Sequence, residues 1–165
     1  MTATSTKTQI IGLIMWLVIC FAASAIGGIA SIQAKDFYIQ LIQPEWAPPS
    51  WVFGPVWTTL YTLMGISAWL IWRNGGFQTN FVALSLFLIQ LVVNALWSWL
   101  FFAWKFGFWS FIDILVLLVL IVATIISFWR IHRFAAILLV PYLLWVSFAL
   151  VLNYTLWQLN PNILG

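Results

Sequence analysis

Charged positions divide this chain into long uncharged runs. None occurs from Thr8 to Ala34, from Trp46 to Trp72, from Asn74 to Trp104 or from Phe134 to Gly165. Each run exceeds the roughly 20 apolar residues that a membrane-spanning helix needs. A further stretch, Phe108 to Trp129, is interrupted only by Asp113. The pattern predicts an all-α integral membrane protein, a bundle of five transmembrane helices in a single domain over residues 1–165. The expected spans are about 10–32, 50–72, 81–103, 108–129 and 134–157. No internal repeat is visible, which argues against an inverted-repeat transporter. Lys7, the apolar run after it and Ala23-Ser24-Ala25 mimic a cleavable leader. The run continues to Ile32, long enough to span, so an uncleaved first helix is expected.

Most connections are short. Asn74-Gly75-Gly76 is a turn signal, and Arg130-Ile131-His132-Arg133 makes a tight basic turn. The first loop, 33–47, is the one long enough to act as a lid, and it holds Lys35, Asp36, Phe37, Tyr38 and Glu45. Five spans set Lys7, Arg73, Arg130 and Arg133 against Lys35 and Lys105. The basic excess then places the N-terminus in the cytoplasm of a bacterial-type membrane, with the long loop outside.

Composition narrows the function classes. The chain is 65% hydrophobic and 5% charged, too apolar for a soluble domain of this size. Six basic and three acidic residues are too sparse for a nucleic-acid surface. Cys20 is the single cysteine, so neither an internal disulfide nor a cysteine metal cluster is expected. The acids are Asp36, Glu45 and Asp113, too few and too scattered for acid/base catalysis. Asp113 lies about two turns past Lys105 and reads as a helix-end acid reaching toward that cation, or capping a neighbouring helix. His132 reads as an exposed turn residue rather than an iron ligand. No phosphate loop, metal cluster or nucleophile triad is present, so no cofactor, metal or catalytic residue is assigned.

Polar and aromatic positions within the spans suggest a site. Pro48 and Pro49 suit the first turn of the second helix. Pro55 lies one turn further in, where it would free the Trp51 carbonyl and kink the helix. Beyond it Trp57, Tyr61 and Ala68 fall on one face. Trp46 and Trp51 sit near the interface, as anchors or as a mouth. The third helix carries Gln90, Asn94 and Ser98 at i, i+4 and i+8, with Trp97 and Phe101 on that side. Amides are costly in hydrocarbon, so this face points inward. Interhelical hydrogen bonding and ligand contact both remain open. In the fifth helix Pro141 would free the Ile137 carbonyl, and Trp145, Phe148, Ala149 and Leu152 line one face beside Tyr142. Ala149 makes a notch, for a ligand or for close helix packing. Together these faces suit a large, flat, mostly apolar molecule that stacks on indoles.

Three stretches then resemble one known family. W-A-P-P-S-W-V-F-G-P-V-W-T-T-L-Y-T-L-M-G (46–65), Q-L-V-V-N-A-L-W-S-W-L-F-F (90–102) and P-Y-L-L-W-V-S-F-A-L-V-L-N (141–153) are similar to motifs of the translocator protein family, also called the tryptophan-rich sensory protein or TspO/MBR family. The resemblance covers nearly the whole chain. It implies a five-helix membrane bundle, often a homodimer, that binds porphyrins such as protoporphyrin IX and haem, and synthetic isoquinoline carboxamides and benzodiazepines. By motif position it implies a pocket lined by Trp57, Asn94, Trp97, Ser98, Trp145, Phe148 and Ala149. Tyr38 would close over the ligand, with Trp46 and Trp51 at the mouth. Some bacterial members degrade protoporphyrin in light and oxygen, which would assign that chemistry to Trp57 and Trp145. Animal members bind cholesterol through a helix-five Tyr followed by a basic residue. Here Tyr154 is followed by Gln158 and no Lys or Arg, so that motif is incomplete. The middle of helix three (Leu88, Ile89, Leu91, Val92) is too bulky for a small-residue dimer seam. Helix one offers Ala23, Ser24, Gly27, Gly28 and Ser31 instead.

Three functions follow, in order of preference. The first is tetrapyrrole binding in sensing, transport or homeostasis. The second is light- or oxygen-dependent porphyrin degradation. The third is a structural partner subunit without a ligand.

Overall fold

The structure, a computed structural model, describes residues 6–165, and every regular element among them is helical. In chain order these are α1 (Thr6–Ala30), α2 (Ala34–Gln40), a 3-10 turn (Ser50–Val52), α3 (Phe53–Trp72), α4 (Gly76–Thr79), α5 (Phe81–Ser98), a π-helical turn (Trp99–Ala103), α6 (Gly107–Ile131), α7 (Arg133–Leu138), α8 (Val140–Leu159) and α9 (Pro161–Leu164).

Four stretches are long and apolar enough to cross a membrane: Thr6–Ala30, Phe81–Ala103, Gly107–Ile131 and Arg133–Leu159. The other expected span falls on α3. Its 20 residues suffice in length, but Pro55, Trp57, Thr58, Thr59, Tyr61 and Thr62 make it less apolar. The outward faces are greasy, with Val18 60%, Val92 69% and Val119 69% exposed. Water would penalise such a surface, whereas lipid matches it. The chain is a multi-pass membrane protein.

Helix α1 packs on α3 and α5, α5 on α6, α6 on α8, and α7 on α3. Small residues set the closest approaches. A Cβ added to Gly65 would lie 2.8 Å from the Leu17 side chain, and one added to Gly12 would lie 2.3 Å from the Trp72 ring. The core fills the half of the bundle near the start of α1 and the end of α3. There Trp16 meets Phe87 edge-on at 5.9 Å and Phe87 stacks on Phe128 at 5.9 Å. Trp69 donates its indole N–H to the Gln9 carbonyl at 3.0 Å.

The prolines act differently from expectation. Pro48 and Pro49 precede the α-helix; Pro49 is extended (φ −63°, ψ 147°) and its carbonyl accepts from Val52 N–H at 3.0 Å. Because α3 begins only at Phe53, Pro55 falls in its first turn. An amide there has no intrahelical partner, so this proline starts the helix and need not kink it. Pro141, in contrast, divides its span. Helix α7 stops at Leu138, Leu139 N–H donates to the Ala136 carbonyl at 3.1 Å, and α8 starts at Val140. The Ala135 carbonyl is taken by the Ser67 hydroxyl of α3 at 2.7 Å. Helix α7 thus leans on α3 while α8 touches α3 little, and a space opens between them.

Three further expectations need correction. The first loop is not irregular throughout: Ala34–Gln40 is helical and buries Phe37 and Tyr38, with Leu41 just after it, against Phe101, Leu152 and Leu156. Asp113 does not reach Lys105. It is buried inside α6 with Oδ2 unpartnered, whereas the Lys105 ammonium lies 5.1 Å from the Phe37 ring centroid. His132 is half-buried and caps α7, its Nδ1 accepting from Ala135 N–H at 3.3 Å.

Candidate functional site

The space between the diverging helices is a cavity of about 520 Å³, within the range of small-molecule sites. Five of the segments that wall it carry the residues singled out in the sequence. Helix α3 contributes Trp57 and Tyr61, α5 contributes Asn94, Trp97 and Ser98, and α8 contributes Trp145 and Ala149. Tyr38 comes from α2 and Trp51 from the turn before α3. Nine of the eleven residues singled out in the sequence therefore share this wall. Trp46 and Phe148 do not. Phe148 lies behind Trp145 at 5.5 Å, and Trp46 meets Phe148 edge-on at 5.9 Å on the outer side.

A chain of ring contacts closes the α8 side. Tyr38 meets Phe53 at 5.5 Å, and Phe53 meets Trp145 at 5.9 Å. The Tyr38 hydroxyl donates to the Pro48 carbonyl at 3.1 Å. Burial pushes the Tyr38 pKa above its ordinary value. Asn160, just past α8, clasps the strand of lid beyond α2. Its Oδ1 accepts from Ile42 N–H at 2.8 Å and its Nδ2 donates to the Ile42 carbonyl at 2.9 Å.

The floor is a buried polar network. Tyr61 donates to Asn94 Oδ1 at 3.0 Å, Asn94 Nδ2 donates to the Tyr142 hydroxyl at 2.6 Å, and Tyr142 donates to Gln90 Oε1 at 2.8 Å. These bonds tie α3, α5 and α8 together beneath the cavity. Trp97 is held similarly, its indole N–H donating to Asn153 Oδ1 at 3.0 Å while its ring stacks on Phe101 at 5.3 Å. A shallow apolar recess continues behind Ala149 toward Ile114 and Leu117.

Several wall residues were not foreseen from the sequence. Ser24, Gly27, Gly28 and Ser31 of α1 line the cavity, as do Lys35, Phe53 and Phe102. The signal was present as a small-residue stripe at i, i+3, i+4 and i+7. Within the chain that stripe serves α1–α5 packing and the cavity wall. Phe102 enters through the π-helical turn, where Trp104 N–H donates to the Trp99 carbonyl at 2.8 Å. Such turns displace side chains out of α-helical register. Among the lining residues there is no Asp, Glu, His, Cys or Met. The site offers indole faces, a few hydroxyls and one ammonium, which suits binding of a flat apolar body better than acid/base chemistry.

Comparison with known proteins agrees with this architecture. A profile of the TspO/MBR family matches residues 16–158. The chain is 39% identical over 155 residues to Tryptophan-rich protein TspO of Chlorobaculum tepidum, covering 93% of this chain and 98% of that protein. It is 41% identical over 139 residues to Translocator protein of Ovis aries, 82% of each. It is 38% identical over 128 residues to Tryptophan-rich protein TspO of Archaeoglobus fulgidus, covering 78% of this chain and 82% of that one.

Proposed function

The chain belongs to the TspO/MBR family of membrane proteins, and from that premise we propose that its cavity binds tetrapyrroles such as protoporphyrin IX and haem, in porphyrin sensing, transport or homeostasis. The observation that supports this most is the convergence of Trp57, Trp97 and Trp145 on one cavity of about 520 Å³ above the Asn94 network. Three indoles from three helices offer faces to a flat ring system, and such stacking is worth about 1 kcal/mol per aromatic pair beyond area burial. No histidine, cysteine or methionine lines the wall, and the Tyr38 and Tyr61 hydroxyls are engaged by Pro48 and Asn94, so the ring rather than a central metal carries recognition. Metal-free and iron-loaded porphyrins should bind alike.

In this reading α3 is a fifth span, and its polar and aromatic residues face the ligand rather than lipid. The basic ends at Lys7, Arg73, Arg130 and Arg133 lie in the cytoplasm, and the cavity opens on the other side. A homodimer leaves the α1 stripe inside each protomer. Trp57 and Trp145 are among the oxidisable groups that would face a photosensitising ligand, but the wall has no general acid, so we place binding first and degradation second.

The test is a titration of detergent-solubilised protein with protoporphyrin IX, following tryptophan fluorescence. Saturable quenching near one equivalent is expected, weakened in a Trp57→Phe/Trp145→Phe double variant. Non-saturable quenching, or equal quenching in the double variant, would refute the assignment. Product beyond one equivalent per protein under light would favour the degradative reading.

A further inference from the structure

The polar groups of the cavity wall are unevenly spent. The one dedicated acceptor among the lining side chains, Asn94 Oδ1, already takes the Tyr61 hydrogen. The Tyr38, Ser31 and Thr58 hydroxyls donate to the Pro48, Gly27 and Gly54 carbonyls. The Trp97 indole N–H is spent on Asn153. What remains includes free donors. The indole N–H groups of Trp51, Trp57 and Trp145 have no protein acceptor, and neither does the Lys35 ammonium. A ligand with acceptors would satisfy these donors, while the wall hydroxyls keep lone pairs for any donor it carries.

Charge points the same way. Lys35 is the one charged residue in the wall, and it sits on the exposed first turn of α2 at the rim. Among the described residues no carboxylate is in ion-pair contact with it. Lys105, the other cation at this end, is drawn aside over the Phe37 ring. An ammonium left free at the mouth of an aromatic cavity favours an anion at that depth and disfavours a cation.

Resting on the tetrapyrrole reading, we propose that the site selects flat aromatic acids, and that Lys35 is the specificity-determining residue. The ring system lies inward among Trp57, Trp97 and Trp145, and a carboxylate edge lies at the rim on the Lys35 ammonium. The rim is open to solvent, so the contribution is that of a half-screened pair, about two- to fivefold in affinity at low salt.

The experiment compares protoporphyrin IX with its dimethyl ester, which keeps the ring and removes the charge. Both are titrated into the full chain in detergent, for wild type, Lys35→Gln, Lys35→Glu and the control Lys105→Gln. The expected result is about a two- to fivefold preference of the wild type for the acid, shrinking as salt is raised. Lys35→Gln should abolish that preference by weakening acid binding alone. Lys35→Glu should invert it, and Lys105→Gln should leave it intact. Ester binding equal to acid binding in wild type overturns the charge selection while leaving the tetrapyrrole site standing. Equal losses for both probes in Lys35→Gln also overturn it, because they mark a structural effect. Failure of both probes to saturate the wild type overturns the tetrapyrrole reading, and this inference with it.

Discussion

Gly27 of α1 faces Ser98 of α5 so closely that a Cβ on the glycine would sit 3.1 Å from the serine hydroxyl oxygen. The two helices meet here because neither residue has bulk, and the cavity wall forms from their neighbours. Gly27→Val would force α1 away from α5. Overpacking of this kind costs about 1–3 kcal/mol. The unfolding temperature in detergent should fall clearly, and Gly27→Ala should fall less because the serine side chain can give way.

The Asn94 network is a structural tie as well as a floor. Asn94→Leu would leave the buried Tyr61 hydroxyl without its acceptor and remove the donor to Tyr142. An unpaired buried polar group costs about 1–3 kcal/mol, less where it finds another partner in the membrane. Asn94→Leu should therefore melt earlier than Ser98→Ala, whose hydroxyl makes no hydrogen bond to the protein. Equal melting of the two would show that the network contributes nothing.

The lid is fastened by hydrogen bonds from Asn160 and Tyr38 as well as by the buried apolar face of α2. Asn160→Ala removes both bonds to Ile42, and Tyr38→Phe removes the bond to Pro48, each neutral bond being worth about 1 kcal/mol. Hydrogen exchange at the Ile42 amide should speed up in Asn160→Ala, and a bound porphyrin should dissociate faster from both variants. The core amides of α5 and α6 should be unaffected.

Pro141 opens the cavity by separating α7, which leans on α3, from α8, which does not. Pro141→Ala restores an amide donor and allows one continuous helix. Stability should be unchanged or slightly raised, while porphyrin affinity should fall as α8 closes toward α3. A loss of stability with unchanged affinity would assign Pro141 to folding instead.

Scarcity of charge made the long apolar helices legible: with so few charged residues, each gap between them had to be a helix. Trp57, Asn94 and Trp145 were legible because polar and aromatic residues recurring at helical spacing in lipid must face inward. The α1 wall was not, since Ser24 and Gly28 look the same whether they face a partner helix, a second protomer or a cavity. The π-helical turn at Trp99–Ala103 was hidden because it answers to the ring stack of Trp97 on Phe101 and the edge-on contact of Phe37 with Phe102. Helix α2 was hidden for a related reason: its apolar face is completed by Leu152 and Leu156, more than a hundred residues away. Pro55 and Pro141 look alike in sequence, and both fall in the first turn of a helix; Pro141 divides a span only because α7 runs up to it.

Gly28 provides the most direct test of the cavity. Nothing lies within 4 Å of a Cβ added there, and the residue is on the cavity wall. Gly28→Leu therefore fills ligand space without disturbing α1 packing. The decisive measurement is the protoporphyrin IX affinity of Gly28→Leu beside wild type, with unfolding temperatures recorded on the same samples. We expect an affinity loss of about tenfold or more, equivalent to about 1.4 kcal/mol, at an unchanged unfolding temperature. Unchanged affinity in a folded Gly28→Leu protein would place the ligand elsewhere and contradict the cavity as its site.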